Sequence, residues 1–349
     1  MNTSFFRNKR VLVTGHTGFK GSWLSKILVN LDAEVTGYSL EPATDPNLFA
    51  ISGIQDKVKS NFGDIRDLKR LQEVFEESRP EIVFHLAAQP IVREGYKNPV
   101  YTYETNVIGT ANILECIRLF GGVRSFLNVT TDKVYKNKEW EWGYRENDPL
   151  DGFDPYSNSK SCSELVTESY KNSFFNEKNV AVSTARAGNV IGGGDFATDR
   201  IIPDCVRSIE SQTPITVRNP HSIRPYQHVL EPLFVYLLIV EKQYENIEFS
   251  GCYNVGPDDR DCISTGKLVE LFCEKWGDGV SWVSRPVEGP HEANFLKLDC
   301  SKLKSKFYWE PKWSVDIAVE KTIEWYKTYL VNGELSEIMD KQINEFFSL

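Results

Sequence analysis

The first half of the chain alternates short runs of apolar, β-branched residues with longer segments in which apolar residues recur at helical spacing. The runs predict strands, and their nearly continuous apolar character predicts burial on both faces of a sheet. They lie at 10–14, 34–38, 57–62, 81–87, 124–130 and 180–186. The helical segments between them lie at 20–31, 67–78, 100–120 and 157–175. This order predicts an α/β fold with a doubly wound parallel sheet of the Rossmann type.

Three evenly spaced glycines, Gly15, Gly18 and Gly21, join the first strand to the first helix in the string VTGHTGFKGSWL. Small residues let the chain turn tightly and let the backbone approach a pyrophosphate, while the start of the helix supplies amide donors. A plain strand–helix turn is the alternative, but this position in the fold favours a dinucleotide site.

The residues that would hold the adenosine end are less clear from the pattern. An acidic residue is expected where the second strand ends, but Glu41 comes late, so this stretch leaves NAD and NADP open. After the third strand, Asp64 and Ile65 lie where an adenine could be met. The alternative is that Asp64 or Asp67 caps the helix that follows.

Beyond residue 187 the pattern loosens into clusters of Gly, Pro and Arg, then mixed elements and a terminal helix after Ser314. We expect residues 1–187 to form the dinucleotide-binding domain, to which the chain returns around 231–255. Residues 188–230 and 256–349 would form a smaller, mixed C-terminal domain that binds the substrate.

Tyr156 and Lys160 are four residues apart in DPYSNSK and therefore share one face of a predicted helix. A tyrosine serves as a base only if its pKa falls from about 10 towards neutrality, which an adjacent ammonium and a positively charged nicotinamide favour. Tyr308 and Lys312 have the same spacing, but Pro311 breaks a helical face there. The pair at 156 and 160 is therefore the candidate.

Asp132 and Lys133 follow a buried strand and two threonines in TTDKVY. Burying charges at the end of a strand costs free energy, so a charged pair there suggests a function. The two residues could act as a general acid and a base, or one of them could be an electrostatic stabiliser. A solvated salt bridge in a turn is the alternative.

Composition narrows the classes of partner. The chain has 349 residues and a formal net charge of −9, which argues against nucleic acid as a partner. Seven cysteines without a C-x-x-C pair favour reduced thiols over disulfides or a metal site. We find no signal-peptide pattern and no run of membrane-spanning length, so we expect a cytoplasmic protein without membrane contact.

Arginines cluster in VRNPHSIRPYQHV, where Arg218 and Arg224 lie, and Arg93 stands apart in QPIVREGY. Guanidinium groups bind a diphosphate through paired hydrogen bonds. The alternative is a set of surface ion pairs. The long helical segments at 100–120 and 157–175 could pair with those of a second subunit as a four-helix bundle, which predicts a homodimer or a tetramer.

Several motifs together resemble a known family. Besides the glycine turn and the tyrosine–lysine pair, the chain contains HLAAQ at 85–89 and TNVIGT at 105–110. These strings are similar to those of the extended short-chain dehydrogenase/reductases, the NAD-dependent epimerase/dehydratase family that modifies nucleotide-activated sugars. Longer strings, such as those at 185–204 and 218–233, resemble the branch that dehydrates CDP-glucose, and the resemblance runs from Lys9 to about Trp313.

The resemblance implies roles for individual residues. NAD would be bound by Gly15, Thr17, Gly18, Phe19, Gly21, Asp64, Ile65, Leu86, Ala87, Gln89, Asn106, Thr130, Tyr156 and Lys160. Catalysis would fall to Thr131, Asp132, Lys133, Tyr156 and Lys160. The nucleotide-sugar substrate would be bound by Arg93, Asn189, Arg218, Arg224 and His291. Relatives that use dTDP-glucose carry Asp-Glu where this chain has Asp132-Lys133, and the lysine matches the CDP branch.

The reaction so implied is the NAD-dependent conversion of CDP-D-glucose to CDP-4-keto-6-deoxy-D-glucose and water. It oxidises C4, eliminates water across C5 and C6, and returns the hydride to C6. Tyr156 would take the O4 proton, Asp132 suits the acid, and Lys133 suits either the base or an enolate stabiliser. The alternatives are a nucleotide-sugar 4-epimerase, a dehydratase of dTDP- or GDP-sugars, and a non-catalytic sensor of the nicotinamide cofactor.

Overall fold

The computed structural model describes residues 1–285 and 295–348. The strands are, in chain order, β1 (Arg10–Thr14), β2 (Glu34–Ser39), β3 (Lys59–Phe62), β4 (Ile82–His85), β5 (Ser125–Thr131), β6 (Ala181–Ala187), β7 (Val190–Ile191), β8 (Ile215–Val217), β9 (Ile223–Pro225), β10 (Gln227–His228), β11 (Cys252–Val255), β12 (Cys262–Ser264) and β13 (Trp282–Ser284).

The helices are α1 (Phe19–Asn30), α2 (Leu48–Ile51), α3 (Leu68–Ser78), α4 (Val92–Lys97), α5 (Pro99–Tyr103), α6 (Gly109–Phe120), α7 (Pro155–Tyr170), α8 (Ile201–Glu210), α9 (Leu230–Glu245), α10 (Thr265–Trp276), α11 (Ser301–Phe307), α12 (Val315–Leu330) and α13 (Leu335–Phe347). Each of the six strands predicted for the first half corresponds to an observed strand, and the observed ends differ from the predicted ends by at most two residues.

A seven-stranded parallel sheet organises the fold, with the strand order β11-β6-β5-β4-β1-β2-β3. The predicted α/β fold with a doubly wound parallel sheet is confirmed. The strand order reverses between β1 and β4, and ligands of such sheets bind in the crevice outside the carboxyl ends of the strands at that point. The seventh strand, β11, pairs with β6 and comes from the segment where we expected the chain to return.

Alternation along the strands divides the apolar side chains between two cores. In β1, Val11 and Val13 face the larger core, which α1, α9, α12 and α13 cover. Leu12 faces the other core, beneath α3 and α6. Burial on both faces explains why the strands read as continuous apolar runs.

The predicted helix at 100–120 is instead three pieces. Between α5 and α6 the residues Glu104–Ile108 form a π-helical turn, which widens the helix. A second π-helical turn, Lys171–Phe175, continues α7, so the expectation of one regular helix over 157–175 is corrected in the same way. The helix expected after Ser314 is α12, and Ser314 caps it by accepting a hydrogen bond from the Ile317 amide at 3.5 Å.

The second half of the chain adds three two-stranded pairings, β7 with β10, β8 with β13 and β9 with β12, beside α8 and the last helices. Over the part of the chain that the structure describes, no helix is both long and apolar enough to cross a membrane.

Candidate active site

A cleft of about 330 Å³ opens beyond the carboxyl ends of β5 and β6, against the second half of the chain. It brings together many of the residues predicted for catalysis, cofactor binding and substrate binding. These lining residues are Phe19, Arg93, Thr130, Thr131, Asp132, Lys133, Tyr156, Asn189, Arg218 and Arg224. His291 lies outside the described residues.

The glycine turn leaves no space for side chains where the chain crosses the crevice. Gly15 has a φ of +74°, and a Cβ there would lie 2.8 Å from the Ala87 amide nitrogen and 2.9 Å from the Leu86 carbonyl carbon. A Cβ on Gly21 would lie 2.0 Å from the Gly15 carbonyl oxygen. No side chain among the described residues caps the start of α1 at Gly18, so the first-turn amides are available to an anion. This geometry fits a pyrophosphate.

The residues predicted near the adenosine end lie in different surroundings. The Thr17 hydroxyl bonds to Ser39 Oγ at 2.8 Å and to the Leu40 carbonyl oxygen at 3.0 Å, which anchors the glycine turn on β2. Asp64 accepts a bond from Arg66 Nη2 at 2.8 Å, and that arginine holds the pKa of the carboxyl below its usual range.

The other two candidates at this end have structural roles, one in the core and one at the start of a helix. Ile65 is buried in the core beneath α3 and α6. Asp67 caps α3 by accepting a hydrogen bond from the Arg70 amide at 3.0 Å, so the capping alternative holds for Asp67.

Gln89 and Asn106 are bonded to each other and to the protein. The Asn106 side chain accepts from the Gln89 amide at 2.8 Å and donates to Ser159 Oγ at 2.9 Å. The Gln89 side chain donates to Thr102 Oγ1 at 2.9 Å. These bonds hold the loop after β4 against α5 and α7.

Thr130 and Thr131 point to opposite faces of β5, as strand alternation requires. Thr130 Oγ1 donates to Glu164 Oε1 at 2.6 Å, and Glu164 forms a fully buried ion pair with Arg186. Thr131 instead hydrogen-bonds to Asp132 Oδ1 at 3.0 Å. The hydroxyl of Thr131, and not that of Thr130, therefore belongs to the group around Asp132.

Tyr156 lies in the first turn of α7, where Asp154 caps the helix with a 3.0 Å bond from the Ser157 amide. Burial raises the pKa of Tyr156 to about 12, while a hydrogen bond with Thr131 and the charge of Arg200 act in the opposite direction. The expected lowering by Lys160 is absent from the described, ligand-free chain. Lys160 Nζ donates to the Val129 carbonyl oxygen at 3.2 Å, and burial lowers its pKa to about 8.

Asp132 is only 1% exposed, so the solvated salt-bridge interpretation is wrong for this carboxylate. Its Oδ2 atom is buried and has no hydrogen-bond partner among the described residues. Burial raises the pKa of Asp132, and the charges of Lys133 and Arg224 oppose that rise. A carboxyl group in this environment retains its proton more readily than an exposed one and can donate it.

Sequence reasoning missed two basic residues that also line the cleft, Lys20 and Arg200. Burial and the charges of Arg200 and Lys160 lower the pKa of Lys20 to about 7. Arg200 Nη1 bonds to Asp195 at 2.9 Å. Lys20 lay inside a helical run and Arg200 inside a Gly-rich loop, where neither pattern marks a site.

The arginines predicted to bind substrate are held differently. Arg224 is 6% exposed and donates from Nη1 to the carbonyl oxygen of Ile223 at 2.9 Å. Arg93 and Arg218 both reach Asp199, at 3.6 Å and 2.7 Å. The ion-pair alternative therefore describes Arg93 and Arg218 in the ligand-free chain, although both still face the cleft. Within residues 1–285 and 295–348, no group of three or more His, Cys, Asp or Glu side chains could hold a metal ion.

Comparison with known proteins agrees with this geometry. The model of the GDP-mannose 4,6 dehydratase family matches residues 12–322. The CDP-glucose 4,6-dehydratase of Salmonella typhimurium strain LT2 is 46% identical over 354 residues, which cover 100% of this chain and 99% of that protein.

Two solved structures show the same fold at lower identity. The UDP-glucose 4-epimerase of Thermotoga maritima, solved with UDP-glucose, has a TM-score of 0.80 at 23% identity and covers 92% of this chain and 99% of its own. The dTDP-glucose 4,6-dehydratase of Bacillus anthracis, solved with NAD, has a TM-score of 0.74 at 22% identity and covers 91% and 96%.

Proposed function

Because this chain belongs to the GDP-mannose 4,6-dehydratase family, we propose that it is an NAD-dependent hydro-lyase that acts on CDP-glucose. The products are CDP-4-keto-6-deoxy-D-glucose and water. The observation that carries the proposal is the buried Asp132 carboxyl group in the same cleft as Tyr156. Full-length identity of 46% to a CDP-glucose 4,6-dehydratase supports the nucleotide and the sugar.

Tyr156 takes the proton of the O4 hydroxyl. A hydrogen bond with Thr131 and, to a smaller extent, the charge of Arg200 favour the phenolate and oppose the effect of burial. Lys160 fixes the end of β5 against α7. With a pKa of about 12 the phenol needs a further positive charge nearby to act as a base at neutral pH, and the nicotinamide of NAD⁺ would supply one.

Asp132 and Lys133 carry out the elimination. The ketone at C4 makes the C5 proton acidic, and Lys133 removes that proton or stabilises the enolate. Asp132 is protonated readily because it is buried, and it delivers its proton to the departing O6 hydroxyl. Thr131 orients the carboxyl group through the 3.0 Å hydrogen bond to Oδ1 and leaves Oδ2 to face the substrate.

The glycine turn and the start of α1 fit the pyrophosphate of NAD. Gly15 and Gly21 keep the backbone uncovered, and Lys20, in the first turn of α1, lies at the same end of the helix. When bound, NAD supplies the hydride acceptor that C4 oxidation requires, and the same carrier reduces C6. The contacts at Asp64, Leu86 and Ala87 are part of this proposal.

The nucleotide diphosphate would lie against Arg224, Arg93 and Arg218, which line the cleft together with Asn189. A 4-epimerase needs only the tyrosine chemistry and would not require the buried Asp132. A non-catalytic sensor would require none of Thr131, Asp132 and Tyr156.

We further propose a homodimer formed through α6 and α7. Large apolar side chains are exposed on these helices, including Leu119 at 50% and Leu165 at 58%. A four-helix bundle with a second subunit would cover them. We also propose the division into domains at residue 187 and a cytoplasmic location.

The test is incubation of the protein with CDP-, dTDP- and GDP-glucose plus NAD⁺, followed by mass spectrometry. We expect CDP-glucose to yield a product lighter by one water and the other two sugars to react poorly. A product of unchanged mass from CDP-glucose would indicate epimerisation, and preferred loss of water from dTDP- or GDP-glucose would overturn the assignment of the nucleotide.

A further inference from the structure

Asp199 lies between two arginines that come from different halves of the chain. Its Oδ1 atom accepts a hydrogen bond from Arg218 Nη1 at 2.7 Å and lies 3.6 Å from Arg93 Nη1. Arg93 is on α4, beside the sheet, and Arg218 follows β8 in the second half. All three residues line the cleft. One carboxylate thus bridges the two sides of the cleft mouth.

Positive charge dominates the surroundings of this carboxylate. The hydrogen bond from Arg218 and the charges of Arg93 and Lys97 hold the pKa of Asp199 below its usual range, although burial opposes them. Asp204, on α8, is the acidic neighbour that also interacts with Arg218. Arg93 retains a buried Nε donor that has no hydrogen-bond partner within the described part of the chain. The arginine pair can therefore bind more oxyanion than one carboxylate provides.

The backbone at Asp199 is in the left-handed region, with a φ of +60°. A residue with a side chain is uncommon there, and such conformations cluster at ligand-binding and switching positions. Asp and Asn tolerate this region better than other residues except glycine. The strained position presents the carboxylate to both arginines.

We propose that the Asp199 carboxylate competes with a substrate phosphate for Arg93 and Arg218, so that the nucleotide diphosphate displaces it from both arginines. Carboxylate and phosphate oxygens offer a guanidinium the same acceptors. The carboxylate lies between the two arginines, whose side chains are 28% and 31% exposed and therefore accessible to a diphosphate. The inference rests on the proposed function, since it takes these arginines as the diphosphate site.

The test is Asp199→Asn, which keeps the size and the left-handed backbone but removes the charge. We expect CDP and inorganic pyrophosphate to bind about fivefold more tightly than to the wild type in calorimetry, which corresponds to an exposed ion pair of about 1 kcal/mol. Cytidine, which has no phosphate, should bind equally to both proteins. Asp204→Asn is the matched control, because it removes the same charge nearby without touching Arg93.

Asp199→Gly is a second variant that accepts the same backbone angle, and it should show the same gain. Unchanged or weaker binding of CDP and pyrophosphate by both variants would overturn the displacement, and so would an equal gain in Asp204→Asn. Wild-type dehydration of CDP-glucose without any gain in the variants would refute the displacement alone. A gain in pyrophosphate binding by a protein that does not dehydrate CDP-glucose would refute the proposed reaction and leave the displacement intact.

Discussion

Lys160 donates a hydrogen bond from Nζ to the carbonyl oxygen of Val129, at 3.2 Å. The bond fastens α7 to β5 just before the strand delivers Thr131. It also places an ammonium group where only 4% of the residue is exposed, which is why its pKa falls to about 8. The hydrogen bond that holds α7 therefore comes from a lysine that binds its proton less tightly in the folded protein than in the unfolded chain.

This charge makes stability depend on pH. Between the folded pKa of about 8 and the ordinary value of 10.5, the unfolded chain binds more protons at this lysine, so its contribution to the free energy of unfolding rises with pH. We expect Lys160→Met to lose that rise and, without ligands, to be more stable than the wild type at pH 7 by on the order of 1–3 kcal/mol. Urea unfolding at pH 7 and pH 10 measures both effects.

Lys69→Met is the control for that comparison, since it removes the same charge from an exposed position on α3. Its pH dependence should follow the wild type. If Lys160→Met also followed the wild type at both pH values, Lys160 would have an ordinary pKa in the folded chain.

Tyr156→Phe should slow oxidation at C4 strongly, because it removes the hydroxyl group that accepts the O4 proton. We expect turnover to fall by about 10²–10⁴-fold while the fold and nucleotide affinity stay close to wild type. Product formation followed by mass spectrometry gives the rate. Tyr308→Phe is the matched control, because Tyr308 precedes Lys312 at the same spacing but is 94% exposed. A Tyr156→Phe enzyme with near-normal turnover would remove Tyr156 from the role of base.

Asp132→Asn combined with Lys133→Met should separate oxidation from elimination. Tyr156 remains, so we expect a 4-keto sugar that has not lost water and an accumulation of bound NADH. Each positioned acid or base contributes about 10²–10⁴-fold, so single-turnover absorbance traces and solvent deuterium at C5 should show the loss plainly.

The matched control neutralises an exposed pair on the same side of the protein, Lys136 and Asp151, whose charged atoms are 3.3 Å apart. Lys136→Met with Asp151→Asn should dehydrate CDP-glucose as the wild type does. Dehydration near the wild-type rate by a folded Asp132→Asn, Lys133→Met enzyme would reduce the pair to a structural role.

Gly21→Ala should destabilise the protein even without ligands, because the new methyl group would lie 2.0 Å from the Gly15 carbonyl oxygen. Overpacking of this kind costs about 1–3 kcal/mol. Gly18→Ala is the comparison, since its nearest contact would be 3.4 Å, an ordinary separation. Thermal unfolding of the two variants should show a lower midpoint for Gly21→Ala; equal midpoints would contradict the crowding.

The parallel sheet could be predicted because its central strands are apolar on both faces and alternate with helical segments. The strand order was not predicted and comes from the structure. The π-helical turn at Glu104–Ile108 could not, since its hydrogen bonding depends on packing against α7 and the loop after β4. Residue type at 100–120 fits a regular helix equally well.

The meeting of Thr131, Asp132 and Tyr156 in one cleft could also be predicted, because strand ends and helical spacing place these residues together. The direction of Thr130 could have been read from strand alternation. The internal bonds of Gln89 and Asn106 could not, because an amide that holds a loop and one that holds a cofactor look alike in sequence. The electrostatic interaction of Arg200 with Tyr156 across the cleft depends on how the two halves of the chain meet.

The strand β11 has a consequence for how the protein is made. Until a ribosome has extended the chain past residue 255, β6 has a neighbour on one side only, and its other edge presents unpaired backbone groups. Residues 1–187 emerge first and hold six of the seven strands, yet their outermost strand stays open while α9 is being synthesised. The edge of β6 therefore stays available to other chains until β11 is synthesised. A truncation within α9 would leave this edge permanently unpaired and able to pair with another chain.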